Sequence, residues 1–393
     1  MDLRRLTGLG PNFAGTAWDI RDNWHRAQPK SVEAEARLRE WRCRVKKSLI
    51  RTGLETLYFS GAHRFMQPIF GGVGAIFMLH HVRPPRRGGF QPNRLLEITP
   101  AFFDRVISVL QSSEVDLVSL DEMHRRLIER DFSRRFACIT FDDGYRDTKT
   151  WAYPILKKYG VPFAIYVPTS FPDRLGELWW IALEAAIAKT DRIALLVNGR
   201  GQRFDCTTIS EKRHLYTEIY AWLRSLPSED AIRYAVRDLA GRYDVDASAI
   251  NDDLCMTWQE IAELAADPLV TIGAHTVNHP ILAKASDEIV RSELKMGRAV
   301  VEAAIGVRPE HLAYPFGDRG AVGSREFQIA AELGFKTAVT THPAMLFPEH
   351  RDQLTALPRI VVDGEFQRGR YMRVLMSGAA TAMWNGFRRV DAA

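Results

Sequence analysis

The sequence predicts an α/β fold, with a parallel sheet or barrel that carries its helices on the outside. Short apolar runs alternate with segments of helical periodicity over most of the chain, which is the pattern of such folds. The 393 residues are 46% hydrophobic and 26% charged, as in globular proteins, so a disordered or collagen-like chain is excluded. Two polar segments directly follow apolar runs, and in these folds the active site lies at the carboxyl ends of strands.

Residues 1–70 are predicted to form a helical extension ahead of the sheet. Residues 1–30 are polar and irregular, whereas Ser31–Phe59 has apolar positions at helical spacing, flanked by arginine and lysine. This helix either packs on the rest of the protein or, as a basic helix, contacts a membrane surface.

A barrel is predicted between residues 71 and 365, where strands and helices alternate. The predicted strands are Ala75–Leu79, Val115–Val118, Phe136–Phe141, Phe163–Val167, Leu269–Ile272, Leu312–Tyr314 and Phe335–Val339. The predicted helices are one that opens at Thr99-Pro100, then Asp121–Ile128, Thr148–Tyr159, Trp258–Ala266, Asp287–Ile305 and Ser324–Leu333. The cap-then-proline order starts the first of these helices, and Gly160, Gly306 and Gly334 end three others.

Two segments depart from this alternation. Between about residues 173 and 251 the apolar positions keep helical spacing, which predicts a helical insertion. Residues 366–393 are predicted to form a basic C-terminal helix, because Arg368–Arg389 carries five arginines and no acidic residue. That helix either docks on the barrel with a solvated basic edge or lies at a membrane interface, so a peripheral membrane contact is an open alternative.

The net charge and the cysteine content exclude few classes of protein. The net charge of +5 suits an anionic glycan, a membrane surface or nucleic acid, but no nucleic-acid recognition motif is present and no nucleic acid is expected. The four cysteines are far apart, which argues against a cysteine-based zinc site or a disulfide framework. The N-terminus lacks the apolar core of a signal peptide, and the longest apolar run, Pro68–Leu79, is too short to span a bilayer. A cytoplasmic location is therefore expected.

The first polar segment is Thr140-Phe141-Asp142-Asp143-Gly144. Adjacent carboxylates after a buried strand repel each other, and a bound cation would offset that repulsion. Taken alone, the segment also fits an ordinary Asp-Asp-Gly turn.

The second polar segment runs from Gly273 to Pro280 and contains His275 and His279. Histidines four residues apart can face one metal ion, although two isolated histidines at this spacing are more often structural. Together, two histidines and one carboxylate make a three-ligand set that leaves positions open on a divalent metal. One aspartate can then bind the metal while its neighbour stays free as a base.

Three segments in this order, ITFDDGYRD, TIGAHTVNHPIL and LAYPFGD, resemble the NodB-type polysaccharide deacetylases of carbohydrate esterase family 4. The resemblance covers roughly Val73 to Gly364 and leaves out the termini and the insertion. It implies a distorted (β/α) barrel and the metal-dependent removal of N-acetyl groups from amino-sugar units of an oligo- or polysaccharide.

The resemblance also implies roles for individual residues. Asp143, His275 and His279 would hold the metal, Asp142 would be the general base, and the backbone N–H of Tyr145 would help to stabilise the oxyanion. Zinc is the first expectation for the metal, and cobalt, manganese and nickel also suit these ligands.

The motif that supplies the general acid in the common form of the family differs in this sequence. The late Leu–His motif is missing, and His342 and His350 lie in poor contexts for it. Instead, FMLHHV at residues 77–82 resembles the early strand-plus-histidine motif of the biofilm-polysaccharide deacetylase branch. On that interpretation His81 is the acid and His80 a weaker candidate, whereas a plain loop histidine is the alternative.

The motif around Ala313 is altered as well, because an arginine that orients the base usually stands at that position. Arg359, in Leu-Pro-Arg-Ile, is expected to take this role, with a surface arginine as the alternative. We expect Tyr314, Pro315 and Phe316 to line the substrate groove. The pair Trp179-Trp180 is interpreted as part of the core, although tryptophans also stack on sugars.

Three other functions are alternatives to a deacetylase. A non-catalytic glycan-binding relative is suggested by Ala313 and by the absent late histidine. A metal-free relative acting on a cyclic amide usually has altered metal motifs, and a two-histidine iron oxygenase normally uses an all-β scaffold. The sequence leaves open which acetylated glycan is the substrate, but with no export signal found an intracellular oligosaccharide or lipid-linked intermediate is favoured. It also leaves the oligomeric state open.

Overall fold

The structure, a computed structural model, describes residues 47–197 and 200–389. Most of the predicted N-terminal extension, residues 1–46, lies outside the described residues. Among the described residues, none of the helices combines the length and the apolar character that crossing a membrane requires.

The strands are, in chain order, β1 (Gly74–Leu79), β2 (His81–Val82), β3 (Glu97–Ile98), β4 (Val115–Leu117), β5 (Arg135–Phe141), β6 (Phe163–Val167), β7 (Arg192–Val197), β8 (Arg200–Asp205), β9 (Val270–Ala274), β10 (His311–Ala313), β11 (Thr337–Val339) and β12 (Ile360–Val361).

The helices are α1 (residues 47–59), α2 (Ala62–Phe70), α3 (Pro100–Gln111), α4 (Leu120–Glu129), α5 (Tyr153–Tyr159), α6 (Trp179–Lys189), α7 (Ile209–Ser225), α8 (Glu229–Arg242), α9 (Ala247–Leu254), α10 (Trp258–Ala265), α11 (Asp287–Ile305), α12 (Ser324–Glu332), α13 (Gly369–Met376) and α14 (Ala379–Trp384). A π-helical turn, Thr148–Ala152, leads into α5.

The main sheet is a parallel barrel, as the alternation of strands and helices predicts. Its strands follow the order β11-β10-β9-β6-β5-β1-β12, and β4 pairs with the first half of β5. Leu357, just before β12, pairs with Val339 at the end of β11, and this contact joins the two edges of the sheet. The distorted (β/α) barrel expected from the sequence is therefore confirmed.

Burial explains why the central strands are continuous apolar runs and do not alternate. Every residue of β1 and β6 is buried, because helices cover the outside while side chains fill the inside. The register places Phe141 opposite both Leu79 and Ile165, so β1 and β5 end at the same level and β6 runs two residues further. Residues that follow these strands therefore meet at one mouth of the barrel.

The insertion is mostly helical, from α6 to α9, but it also contains a hairpin that the sequence analysis did not predict. Strands β7 and β8 pair antiparallel, and Ile193 and Leu195 face the apolar core of the insertion. Buried and exposed residues alternate along β7, and an Asn-Gly pair follows it at 198–199. Both are hairpin signals, but the helical spacing of the neighbouring segments led to a helical prediction for the whole stretch.

The predicted single C-terminal helix is corrected to two short helices, α13 and α14. The chain breaks at Gly378, which has a φ of 73°. A Cβ at this position would lie 1.9 Å from the carbonyl oxygen of Phe70 at the end of α2. A close approach between α2 and the start of α14 therefore interrupts the helix, and helical periodicity alone does not reveal it.

Replacing Gly378 by alanine should destabilise the protein strongly. The left-handed backbone costs an alanine about 1–2 kcal/mol, and relieving the overlap with Phe70 costs roughly 1–3 kcal/mol more. Chemical denaturation would measure this loss in the free energy of unfolding. Gly306→Ala is the matched control, since Gly306 has the same φ of 73° and no atom within 4 Å of the added Cβ. Equal losses for both variants would contradict this explanation.

Candidate active site

Asp143, His275 and His279 converge at the mouth of the barrel. Their candidate ligand atoms all lie within 4.8 Å of one another, and all three residues are buried. Oδ1 of Asp143 is 3.5 Å from Nε2 of His275 and 3.3 Å from Nε2 of His279. The structure thus brings together the three residues that the sequence predicts as metal ligands.

The backbone at the ends of β5 and β9 aims these side chains inward. Asp143, Thr276 and His279 all adopt left-handed conformations, with φ of 68°, 67° and 55°. Such a conformation costs a non-glycine residue about 1 kcal/mol or more and is typical of functional sites. The hydroxyl of Thr276 accepts a hydrogen bond from the backbone N–H of His279, which fixes the turn between the two histidines.

The donor set fits a divalent metal ion. Nδ1 of His275 lies 2.6 Å from the carbonyl oxygen of Ala313, so it carries the proton and leaves Nε2 as a bare acceptor facing Asp143. Burial lowers the pKa of His279 to about 3, so this imidazole is neutral at pH 7. Burial opposes ionisation of Asp143, but its interactions with His279 and His275 outweigh it and lower the pKa of this carboxyl. A buried carboxylate that faces two imidazole nitrogens is a site for a cation.

Glu293, on α11, supports the loop between His275 and His279, which we call the ligand loop. The carboxylate of Glu293 accepts hydrogen bonds from the backbone N–H groups of Val277 and Asn278, both at 2.9 Å, and from the side-chain amide of Asn278 at 2.7 Å. Glu293 is buried, and it fixes the residues between His275 and His279. Sequence reasoning missed it, because an acid within an amphipathic helix carries no signal of its distant partner.

Asp142 and Arg359 form a buried bidentate pair. Each guanidinium NH2 group donates to one carboxylate oxygen at 2.7 Å, and Nε donates to the carbonyl of Thr340. Burial opposes ionisation of Asp142, but the charge and hydrogen bonds of Arg359 outweigh it, so the pKa of this carboxyl is lowered. The structure places Arg359 where the sequence analysis expects an arginine to orient the base.

The two adjacent histidines have different surroundings. His81 is buried, its Nδ1 lies 2.7 Å from Oδ2 of Asp147, and its ring stacks on Tyr145 with 3.7 Å between centroids. Nε2 of His81 has no hydrogen-bond partner among the described residues. His80 is half-buried and interacts electrostatically with both Asp142 and Asp143. Asp147 was missed as a partner of His81, although it belongs to the ITFDDGYRD segment.

The residues expected to line the substrate groove differ in how deeply they are buried. Tyr314 is fully buried and its hydroxyl donates to the carbonyl of Thr355, so the expectation that its side chain lines a groove does not fit. Pro315 is also buried. Phe316, which has a φ of 60°, is half-buried, and the centroid of its ring lies 4.8 Å from that of His279. Trp180, in the core of the insertion as expected, lies 5.1 Å from His279 on another side.

Replacing Glu293 by alanine should weaken metal binding about 10- to 100-fold, as loss of such a supporting contact typically does. The loop that carries His275 and His279 would lose the three hydrogen bonds that Glu293 accepts from it. Competition with a chelator would measure the dissociation constant for zinc or cobalt. Glu302→Ala, an exposed position on the same helix, is the control. Unchanged affinity in Glu293→Ala would show that the loop holds its geometry without this contact.

Comparison with known proteins places these residues in a family. The family model for polysaccharide deacetylases matches residues 129–189 and 204–338 of this chain. No curated protein sequence matches it significantly. The first of these two matched ranges contains Asp142 and Asp143, and the second contains His275 and His279.

Several solved structures are similar to this chain. The deacetylase PplD of Streptococcus pyogenes, in complex with acetate, has 18% identity and a TM-score of 0.49 over 74% of this chain and 92% of that one. IcaB from Ammonifex degensii has 17% identity and a TM-score of 0.47, over 75% and 93%. The deacetylase domain of BpsB from Bordetella bronchiseptica has 19% identity and a TM-score of 0.42, over 73% and 95%.

The family match includes both segments that form the cluster of two histidines and a carboxylate, and those segments meet at the mouth of a parallel barrel. The chain therefore belongs to the polysaccharide deacetylase family and is a hydrolase that removes N-acetyl groups from carbohydrate.

Proposed function

We propose that this protein hydrolyses the N-acetyl group of amino-sugar units in an oligo- or polysaccharide, with a divalent metal held by Asp143, His275 and His279. One observation carries the proposal: two adjacent buried carboxylates have separate partners. Asp143 faces two imidazoles, while Asp142 is held by Arg359. The first arrangement suits a metal ligand, and the second suits a base that stays ionised.

Asp142 fits the role of general base. Arg359 engages each carboxylate oxygen once, which leaves a lone pair on each oxygen for a water molecule. A divalent metal in this site supplies Lewis-acid activation of water and of the acetyl carbonyl. Asp142 takes the proton of the attacking water, the amide C–N bond breaks, and acetate and a free amine are released. The backbone N–H of Tyr145 is proposed to stabilise the oxyanion.

His81 is proposed as the acid that protonates the leaving nitrogen. Asp147 receives the hydrogen bond from Nδ1, which orients the ring and leaves Nε2 to carry the transferable proton. His80 is the second candidate, because it is half-buried and interacts with both aspartates. Phe316 borders His279, is half-buried and is proposed to contact the acetylated sugar.

Zinc is the first choice of metal, ahead of cobalt, manganese and nickel, because one carboxylate and two imidazoles suit it well. Chitooligosaccharides and related intracellular or lipid-linked glycans are the proposed substrates, with a cytoplasmic location.

Asp142→Asn should abolish acetate release and keep metal binding, because the amide cannot accept the proton of water whereas Asp143, His275 and His279 are untouched. Acetate would be measured over a panel of acetylated chitooligosaccharides, exopolysaccharide and peptidoglycan fragments, with and without chelator. Asp352→Asn, an exposed carboxylate, is the control. Full acetate release by Asp142→Asn would refute the base assignment. Binding of acetylated glycan by the metal-loaded wild type without any acetate release would favour a non-catalytic glycan-binding protein.

His81→Ala should lower kcat about 10²- to 10⁴-fold on an acetylated amino sugar, as loss of a general acid does. The same variant should keep most of its activity on nitrophenyl acetate, whose leaving group needs no proton. His80→Ala, made in parallel, should not lower activity on the acetylated amino sugar more than activity on nitrophenyl acetate. If the amide-specific loss follows His80→Ala instead, the acid is His80 and His81 positions Tyr145.

A further inference from the structure

Two neighbouring helices far along the chain from each other expose large apolar side chains. On α2, Phe65 is 82% exposed and Ile69 58%; on and just after α14, Met383, Trp384 and Phe387 are 49–60% exposed. We call these five side chains the α2–α14 face. Seven of the seventeen large apolar side chains that are exposed among the described residues lie in α1, α2 or between Ala379 and Phe387. Exposed apolar side chains are therefore concentrated in this part of the surface.

The α2–α14 face is continuous across the two helices. The rings of Phe70, at the end of α2, and Phe387, just beyond α14, lie 5.9 Å apart. The backbone at Gly378 approaches Phe70 too closely for any side chain, so α14 is fixed against α2. The exposed side chains thus project from a rigid pair of helices. An apolar patch of this kind on a folded surface marks a contact with a partner.

The charge around the face identifies the partner. Residues 47–70 and 369–389 carry seven lysines and arginines and a single acid. That acid, Glu55, is engaged by Arg370, and Lys47 and Arg389 pair with Glu365 and Glu349, which lie outside these ranges. The other exposed basic residues of the two ranges are Arg51, Arg64, Arg373 and Arg388. Apolar and aromatic residues rimmed by arginine and lysine are the composition of surfaces that enter the interface of an anionic bilayer. A protein partner would instead need matching acids and a shaped apolar cover.

We propose that the α2–α14 face binds the surface of a membrane containing anionic lipids. The face lies towards the amino-terminal ends of the strands, because Arg135 at the start of β5 donates to the carbonyls of Gly71 and Met376, beside α2 and α13. The metal-ligand cluster lies at the carboxyl ends. A protein bound through this face therefore presents its catalytic mouth away from the bilayer, towards a glycan in solution or one extended from the membrane.

The test is co-sedimentation of the full chain with vesicles of phosphatidylcholine, with and without phosphatidylglycerol. We expect binding to the anionic vesicles, weaker binding at high salt, and at least tenfold weaker binding by the double variant Phe65→Ser, Trp384→Ser. Arg388→Glu with Arg389→Glu should weaken binding to anionic vesicles by about fivefold or more for each residue that reaches the lipid surface. The control is Ile289→Ser with Val307→Ser, which removes exposed apolar side chains elsewhere.

All these variants should release acetate from a soluble acetylated oligosaccharide at the wild-type rate, which separates this proposal from the proposed function. The proposal is overturned if the wild type does not sediment with anionic vesicles, or if Phe65→Ser, Trp384→Ser sediments equally well. It is also overturned if light scattering shows a dimer that this double variant dissociates while no vesicle binding occurs. In that case the face joins two copies of the chain.

Discussion

Two adjacent carboxylates buried at the mouth of a barrel each need a source of positive charge, and the rest of the structure depends on how this requirement is met. Asp142 receives the guanidinium of Arg359, and Asp143 faces two imidazoles that suit a metal. Arg359 reaches Asp142 only because β12 pairs with β1 and Leu357 pairs with β11. The strand pairings that close the barrel thus also bring Arg359 to Asp142, and removing this arginine would leave a buried charge at high cost.

The sequence predicted those features that arise within one short stretch of chain. Apolar runs located the strands, and the two polar segments identified the cluster of Asp143, His275 and His279. Contacts between distant segments left no such signal: Glu293 reaches the ligand loop from α11, and the break at Gly378 reflects the position of α2. Tyr314 is fully buried whereas Phe316, two residues later, is half-buried beside His279, and a list of aromatic residues cannot reveal this difference.

The insertion takes part in the site, and the expectation that it lies outside the family resemblance is wrong, because the family match covers it except for residues 190–203. Arg233 donates to the carbonyl of Asn278 in the ligand loop, and Glu229 accepts from the backbone N–H of Ile281 just beyond it. Trp180 packs beside His279. The ligand loop is therefore held between α11 on one side and the insertion on the other. This arrangement explains how a short loop with two left-handed residues, Thr276 and His279, keeps one geometry.

Four of the eight described non-glycine residues with positive φ, namely Asp143, Thr276, His279 and Phe316, lie in or beside the cluster of Asp143, His275 and His279. Each holds conformational energy that the surrounding packing must sustain. In evolutionary terms, a descendant that no longer needed the reaction would gain thermal stability by placing glycine or asparagine at these positions. Natural variation there would consequently record whether selection still acts on turnover, since drift alone would relax these turns first.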